Sequence, residues 1–364
     1  MKRLRPFAIA FALLVVLEIV FRSSLLPWFP EDFRMPRVST IGYTQYLDWM
    51  AQRKSVRIAV VGDSVIQGIA VERDGTLPAQ WDALYEADGR PVDVFNFGIS
   101  AAHAEDFYPV VAAIANRKAA DMVVVYFDYP FYEADSKLYS GRYPELWDPK
   151  VMGTVAPHED EPLVDQSRFR SGTLTTDARI SEAAGRIWRF YGERDYVNAV
   201  LFDGTPSSWL KYHINYQRGR FSFQPQWVKL PIDQFDVEKL RTMWKTPRLS
   251  EDNIQLTYLR LAMEKAAAED LPFVLVWGPV NEAVVAKYKL VDPTDFAANR
   301  ELVRSLVERN GGTFVDMAAG FPQEYLADSV HPFRSGYAFM ADRLAETLAP
   351  RVDDLVGEKG GVRP

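Results

Sequence analysis

Four apolar residues, Ile58 to Val61, run without a polar interruption into Gly62, Asp63 and Ser64. A short continuous apolar run closed by a glycine predicts a strand buried on both faces, as in a parallel sheet covered by helices. A serine just past the C-terminal end of such a strand stands where open α/β sheets place their ligands. Gly62 permits a tight turn there, and Asp63 can brace it through its side chain. Ser64 is then expected at the head of the next helix, where backbone N–H groups and the helix dipole favour a developing anion. The same residues also fit an ordinary strand-to-helix loop with Ser64 as N-cap.

A second stretch, far downstream, gives that serine a use. It reads Asp328-Ser329-Val330-His331-Pro332, followed by Ser335-Gly336-Tyr337. A serine nucleophile needs a base, and the base needs an orienting carboxylate. Asp328 and His331, three residues apart on one turn, supply both if that turn folds back against Ser64. The order and spacing, G-D-S near the start and D-x-x-H-P near the end, resemble the SGNH/GDSL hydrolase superfamily.

That resemblance implies a fold and a site. The fold is α/β: a doubly wound three-layer sandwich around a central parallel sheet, flavodoxin-like in layout. Ser64 is the implied nucleophile, with Asp328 and His331 completing the triad and no cofactor. The implied oxyanion donors are the backbone N–H groups of Ser64 and Gly98. Gly98 follows the predicted strand Val92 to Phe97, and a donor without a side chain lets a substrate carbonyl approach closely. A glycine that merely ends a strand reads the same way.

One block departs from the pattern. After the apolar strand Met122 to Phe127 the superfamily carries G-x-N-D, whose Asn side chain is a further oxyanion donor. Here Tyr126 falls at the Gly position and Asp128 at the Asn position. An ionised carboxylate accepts hydrogen bonds and would repel an oxyanion. Three explanations stand: Asp128 is held protonated, it binds a donor group on the substrate, or catalysis is weak or absent.

The strand expected at Pro272 to Trp277 ends in Gly278-Pro279-Val280-Asn281. Pro-Val-Asn resembles the membrane-anchored SGNH proteins of cell-envelope assembly, such as the D-alanyl-transfer proteins of teichoic acid synthesis, and polysaccharide O-acetylation proteins. That likeness implies an envelope polymer as substrate and a membrane-bound O-acyltransferase as partner. Asn281 can replace the missing Asn donor, or can simply cap the helix that begins at Glu282.

The amino terminus fits an anchor. Lys2, Arg3 and Arg5 precede a mostly apolar run from Pro6 to Phe21, without a small-x-small cleavage site after it. With Leu25, Leu26 and Trp28 the run reaches about 20 residues, enough to span a bilayer. Glu18 and Arg22 are four apart and can pair. The basic start predicts a signal anchor with the remainder on the extracytoplasmic, periplasmic side.

Residues 1–28 then carry +3, leaving −10 of the net −7 to the rest, which argues against nucleic acid as a partner. There are no cysteines, and the four histidines show no metal-ligand spacing, so no catalytic metal is expected. His103 reads as a loop or helix-start residue.

The expected division is 1–28 anchor, 29–54 linker and first helix, 55–350 hydrolase-like domain and 351–364 flexible tail. Within the domain, hydrophobic periodicity fails from about 130 to 250. That stretch, rich in aromatics such as Trp147, Trp188, Trp209, Trp227 and Trp244, reads as an insertion over the sheet edge. Its aromatics fit a small core of their own or a surface for sugar or acyl chains.

Three functions fit these residues. The first is an extracytoplasmic esterase or O-acyltransferase that works through an acyl-serine on an envelope polysaccharide. The second is an inactive SGNH fold that binds a polysaccharide or an acyltransferase, favoured by Asp128. The third is a lipid esterase, which would want an apolar lid near Ser64.

Overall fold

The protein is described by a computed structural model, which covers residues 5–22, 29–35, 38, 40–131, 143–153, 180, 183–185, 187–202, 207, 210, 236–244 and 248–360. Five strands carry the fold: β1 (Val56–Gly62), β2 (Val92–Gly98), β3 (Met122–Phe127), β4 (Phe273–Trp277) and β5 (Thr313–Asp316). They form one sheet in the order β2-β1-β3-β4-β5, and every pairing is parallel. The expected α/β class and doubly wound order are therefore present. All six residues of β3 and all five of β4 are buried, the pattern of strands covered on both faces.

Helices α1 (Arg5–Arg22), α2 (Thr40–Ala51), α3 (Ser64–Gln67), α4 (Leu77–Ala87) and α5 (Ala104–Asn116) come from the first half of the chain. The second half adds α6 (Ile254–Ala268), α7 (Glu282–Tyr288), α8 (Pro293–Arg309) and α9 (Arg334–Gly360). α4 packs with α9, and α5 packs with α6. The chain steps from β1 outward to β2, then back past β1 to β3, so the switch point lies between β1 and β3. Ligands of doubly wound sheets bind at that point, outside the C-terminal strand ends. Ser64 follows β1 and Asp128 follows β3, so both stand there.

In segment 29–54 the expected first helix is present as α2, and the described stretch before it is packed into the core. Phe29 and Phe33 are each 1% exposed. Phe29 packs against Phe33, Tyr46, Trp49 and Tyr196, and α2 carries Tyr43 and Tyr46 onto Phe97 of β2. The aromatic residues of this stretch bury too much apolar area to be left in solvent. The carboxyl end also differs from the expected frayed tail. α9 runs through Pro350 to Gly360, because Val352 and Leu355 continue the buried stripe of Leu344 and Leu348. Lys359 then meets Asp121 at 2.6 Å, beside the Arg57–Asp121 pair at 2.9 Å. Packing outweighs the one backbone hydrogen bond that Pro350 cannot donate.

The expected span, which included Leu25, Leu26 and Trp28, lies partly outside the described residues. α1 has 18 residues and includes Arg5, Glu18 and Arg22, and no helix among the described residues is long and apolar enough to cross a membrane. Glu18 takes its predicted partner, Arg22, at 2.5 Å. It also accepts the N–H groups of Arg189 and Phe190 at 2.9 and 3.0 Å, which ties α1 to a short helix at Arg189–Gly192. Much of the expected insertion, Trp209 and Trp227 included, lies outside the described residues. Trp147 and Trp244 are core residues, against Tyr108 and Tyr129.

One buried carboxylate tunes stability away from the switch point. Asp82 on α4 accepts the Val94 N–H of edge strand β2 at 2.6 Å. Burial pushes its carboxyl up to about 7; Asp93, Glu31 and Glu86 add to the rise, and the Val94 hydrogen bond opposes it. A native pKa above the unfolded value favours folding only while the proton is held, so stability falls as pH rises from the ordinary carboxylate range to about 7. Asp82→Asn keeps an acceptor for Val94 and removes that loss. The variant is expected to be more stable than the parent at pH 8, by up to ~4 kcal/mol, with the gain vanishing near pH 4. Urea denaturation at both pH values checks it.

Candidate active site

Ser64 opens α3, a single turn of four residues that Gly68 ends in the left-handed conformation, at φ 72°. The helix is thus shorter than the sequence suggests, and its dipole is that of one turn. Asp63 is the N-cap, its Oδ1 accepting the Val65 N–H at 2.8 Å, which is the brace expected of it. From α9, the Tyr337 hydroxyl donates to the Val65 carbonyl at 2.7 Å. Arg34 closes the far end of the turn, donating from one guanidinium nitrogen to the carbonyls of Gly68 at 2.5 Å and Val71 at 3.1 Å. The serine therefore sits on a backbone fixed from three sides.

The distant turn does fold back. Ser64 Oγ lies 3.0 Å from His331 Nε2, across 267 residues of chain. His331 Nδ1 lies 2.9 Å from Asp328 Oδ2 and 3.1 Å from Oδ1. A carboxylate can only accept, so Nδ1 carries the proton, and Nε2 is left to accept from the serine hydroxyl. Asp328 Oδ1 also accepts the backbone N–H groups of Val330 and His331 at 2.9 and 2.8 Å, which closes the turn. Leu326 and Pro332 bridge across its base. Serine, histidine and aspartate are thus within hydrogen-bond reach in the order that base-assisted nucleophilic attack requires.

Burial works to raise Asp328, but the hydrogen bond and charge of His331, with the two backbone N–H groups, hold it below the usual carboxylate range. Burial works to lower His331; Asp328 and then Asp63 outweigh it and hold the imidazole above its ordinary 6.5.

Asn281 belongs to this frame in another way than as an oxyanion donor. It is the N-cap of α7, its Oδ1 accepting the Val284 N–H at 3.1 Å. Its Nδ2 donates to the Asp328 carbonyl at 3.2 Å, and its own N–H to the Ser329 carbonyl at 2.9 Å. Both contacts hold the Asp328 turn, and the side-chain amide keeps a second N–H. His103 starts α5 as its N-cap, with its N–H on Asp106 Oδ2 at 3.1 Å.

Gly98 closes β2 directly opposite Gly62. A Cβ here would lie 2.0 Å from the Gln67 backbone nitrogen, so only glycine lets β2 approach α3 this closely. Its N–H donates to Asn96 Oδ1 at 2.8 Å, and Asn96 Nδ2 donates to the Ile66 carbonyl at 2.9 Å. The amide expected to face an oxyanion is thus engaged by Asn96 in this state. Asn96 did not figure in the sequence reading. Its signal was a lone amide inside an otherwise apolar strand end, which has to find partners when buried.

Asp63 and Asp128 follow the C-terminal ends of the neighbouring strands β1 and β3, and both are buried. Among the described residues, no group of three or more His, Cys, Asp or Glu side chains could hold a metal ion. A cavity of about 1010 Å³ adjoins the segment that carries Asn281, lined by Val280, Glu282, Trp244 and Phe296 among others.

No family model matches the chain, and no curated protein matches it. Among solved structures, TesA aligns at 12% identity over 81% of this chain and 98% of its own, with a TM-score of 0.39. The psychrotrophic esterase EstA from a Pseudoalteromonas species aligns at 9% identity over 82% and 98%, also at 0.39. A variant of Axe2, an acetyl-xylooligosaccharide esterase from Geobacillus Stearmophilus, aligns at 12% over 81% and 95%, at 0.38.

Proposed function

We propose that this protein is a serine esterase of the SGNH type. The carrying observation is the unbroken chain Ser64 Oγ–His331 Nε2, His331 Nδ1–Asp328 Oδ2, at 3.0 and 2.9 Å. In the proposed reaction Ser64 Oγ attacks an acyl carbonyl while its proton passes to His331 Nε2. The tetrahedral intermediate collapses, the ester C–O bond breaks, and His331 returns the proton to the leaving alcohol. A second acceptor then attacks the acyl-serine as His331 takes its proton; the acyl C–Oγ bond breaks and His331 returns the proton to Ser64 Oγ. Asp328 keeps the imidazole in its Nδ1–H tautomer and stabilises the imidazolium.

The narrower reading is an extracytoplasmic esterase or O-acyltransferase on an envelope glycan, with water or a sugar hydroxyl as second acceptor. What supports it is the basic start followed by an apolar helix whose Phe7, Ile9, Phe11, Leu13, Val16 and Ile19 are exposed. That exposed apolar helix offers contact to a lipid surface or to a membrane-bound acyltransferase.

The test is fluorophosphonate labelling of the full chain beside hydrolysis of an acetyl ester. Covalent labelling at Ser64 together with turnover is the expected result. A folded protein that neither labels nor turns over would overturn the esterase reading.

A further inference from the structure

Two carboxyl groups of the site have no role in the triad. Asp63 follows β1 and Asp128 follows β3, neighbouring strands in register at Val61 and Val125. They are 1% and 4% exposed. Each buries its Oδ2 away from every N–H and hydroxyl donor, while Asp63 Oδ1 is taken by the Val65 N–H. No Lys or Arg pairs with either among the described residues. Arg34, the cation on this side, is spent on carbonyls of Gln67, Gly68 and Val71.

The groups that face the pair come from four directions. Ser64 lies on α3, Asp328 and His331 on the returning turn, Tyr126 on β3 and Tyr337 on α9. Only His331 among them can carry positive charge, and it is already matched to Asp328. Two carboxylates side by side in such a place cannot both be ionised. A carboxyl–carboxylate hydrogen bond between the residues would account for both of these buried oxygens.

We propose that Asp63 and Asp128 hold one proton between them, so that the position where a donor amide is expected carries a neutral acid, and that the pair positions the Ser64 turn. This rests on the esterase reading above. Burial first, then the charge of Asp63 and the hydrogen bond to it, push the Asp128 carboxyl well up. Burial raises Asp63 too, against the pull of Asp128 and the Val65 N–H. Because Asp63 Oδ1 already accepts the Val65 N–H, Asp63 is placed as the acceptor of the pair and Asp128 as its donor. Asp63 stays ionised, holds the Val65 N–H, and adds a second negative charge behind the His331 imidazolium. A third would repel an oxyanion. Asp128 is on this account a positioning residue.

The decisive measurement is infrared spectroscopy of the full chain at neutral and mildly alkaline pH. A carboxylic-acid C=O stretching band that persists there and disappears in Asp128→Asn is expected. In kinetics, Asp128→Asn, which keeps a neutral donor to Asp63, is expected to retain at least about tenfold more kcat/KM than Asp128→Ala, which leaves the buried Asp63 oxygen without that partner. Absence of the band from the folded wild-type protein, or equal losses in the two variants, would overturn the proposal. Fluorophosphonate labelling separates the two levels. Labelling without the band leaves the esterase and removes the proton-sharing pair, whereas the band without labelling does the reverse.

Discussion

Changing Ser64 to alanine is expected to abolish fluorophosphonate labelling and to lower ester hydrolysis by about 10⁶ in kcat, the loss typical of a triad nucleophile. The fold should survive, because the hydroxyl makes one contact, with His331, while the turn is held by Asp63, Tyr337 and Arg34 through other atoms. Substrate affinity should change little, since the serine contributes to the transition state far more than to ground-state binding. Any residual rate over the uncatalysed reaction would measure what the oxyanion donors and binding supply without the nucleophile. Single-turnover kinetics beside a thermal melt provides the check. A variant that hydrolyses esters as fast as the parent would move the nucleophile elsewhere.

Asp328→Asn should cost nearly as much for a different reason. An asparagine Oδ1 can still accept the Val330 and His331 N–H groups, so the turn is expected to close. Its amide nitrogen, however, donates, and facing His331 Nδ1 it would drive the ring proton to Nε2. Nε2 could then no longer accept from Ser64. A loss of about 10⁴ in kcat is expected, as for the same change in other serine triads. The pH profile should move as well. In the parent, His331 is held above its ordinary 6.5, first against burial and then by Asp328 and Asp63. The base form is gained as pH rises, so the acid limb of kcat/KM should lie above 6.5 in the parent and move to lower pH in the variant.

The linked stabilities have opposite signs. His331, raised in the fold, contributes stability that is present below its unfolded pKa and lost as pH rises through the native one. Asp328, lowered in the fold, contributes stability that is present above the ordinary carboxylate range and lost as pH falls through its native pKa. Both contributions are weakened in Asp328→Asn. Chemical denaturation of parent and variant from acid to mildly alkaline pH follows them.

Much of this was legible in the chain because it is local. The apolar run Ile58 to Val61 is buried β1, and Val92 to Phe97 and Met122 to Phe127 fold as the strands expected of them. Asp63 and Asp328 each close their own turn through backbone N–H groups two or three residues on, an interaction encoded within a few residues. The pairing of Ser64 with His331 was inferred from residue types that need one another chemically.

Other features depend on partners that no local pattern contains. Segment 29–54 looked like a linker since its prolines break periodicity, yet Phe29 and Phe33 find Tyr46 across the fold. Residues 351–364 were expected as a flexible tail, and the stripe continued in Val352 and Leu355 carries the helix through Pro350 to Gly360. Gly98 and Asn281 have residue types suited to oxyanion donation, but Asn96 engages one and the Asp328 turn the other. Charge state is the sharpest case. A sequence assigns every aspartate the same carboxylate, and the three explanations for Asp128 are equal on that basis. Burial beside Asp63, without a cation to spare, is a property of two strand ends meeting at the switch point of the sheet, and it is that meeting which makes an anion there too costly to keep.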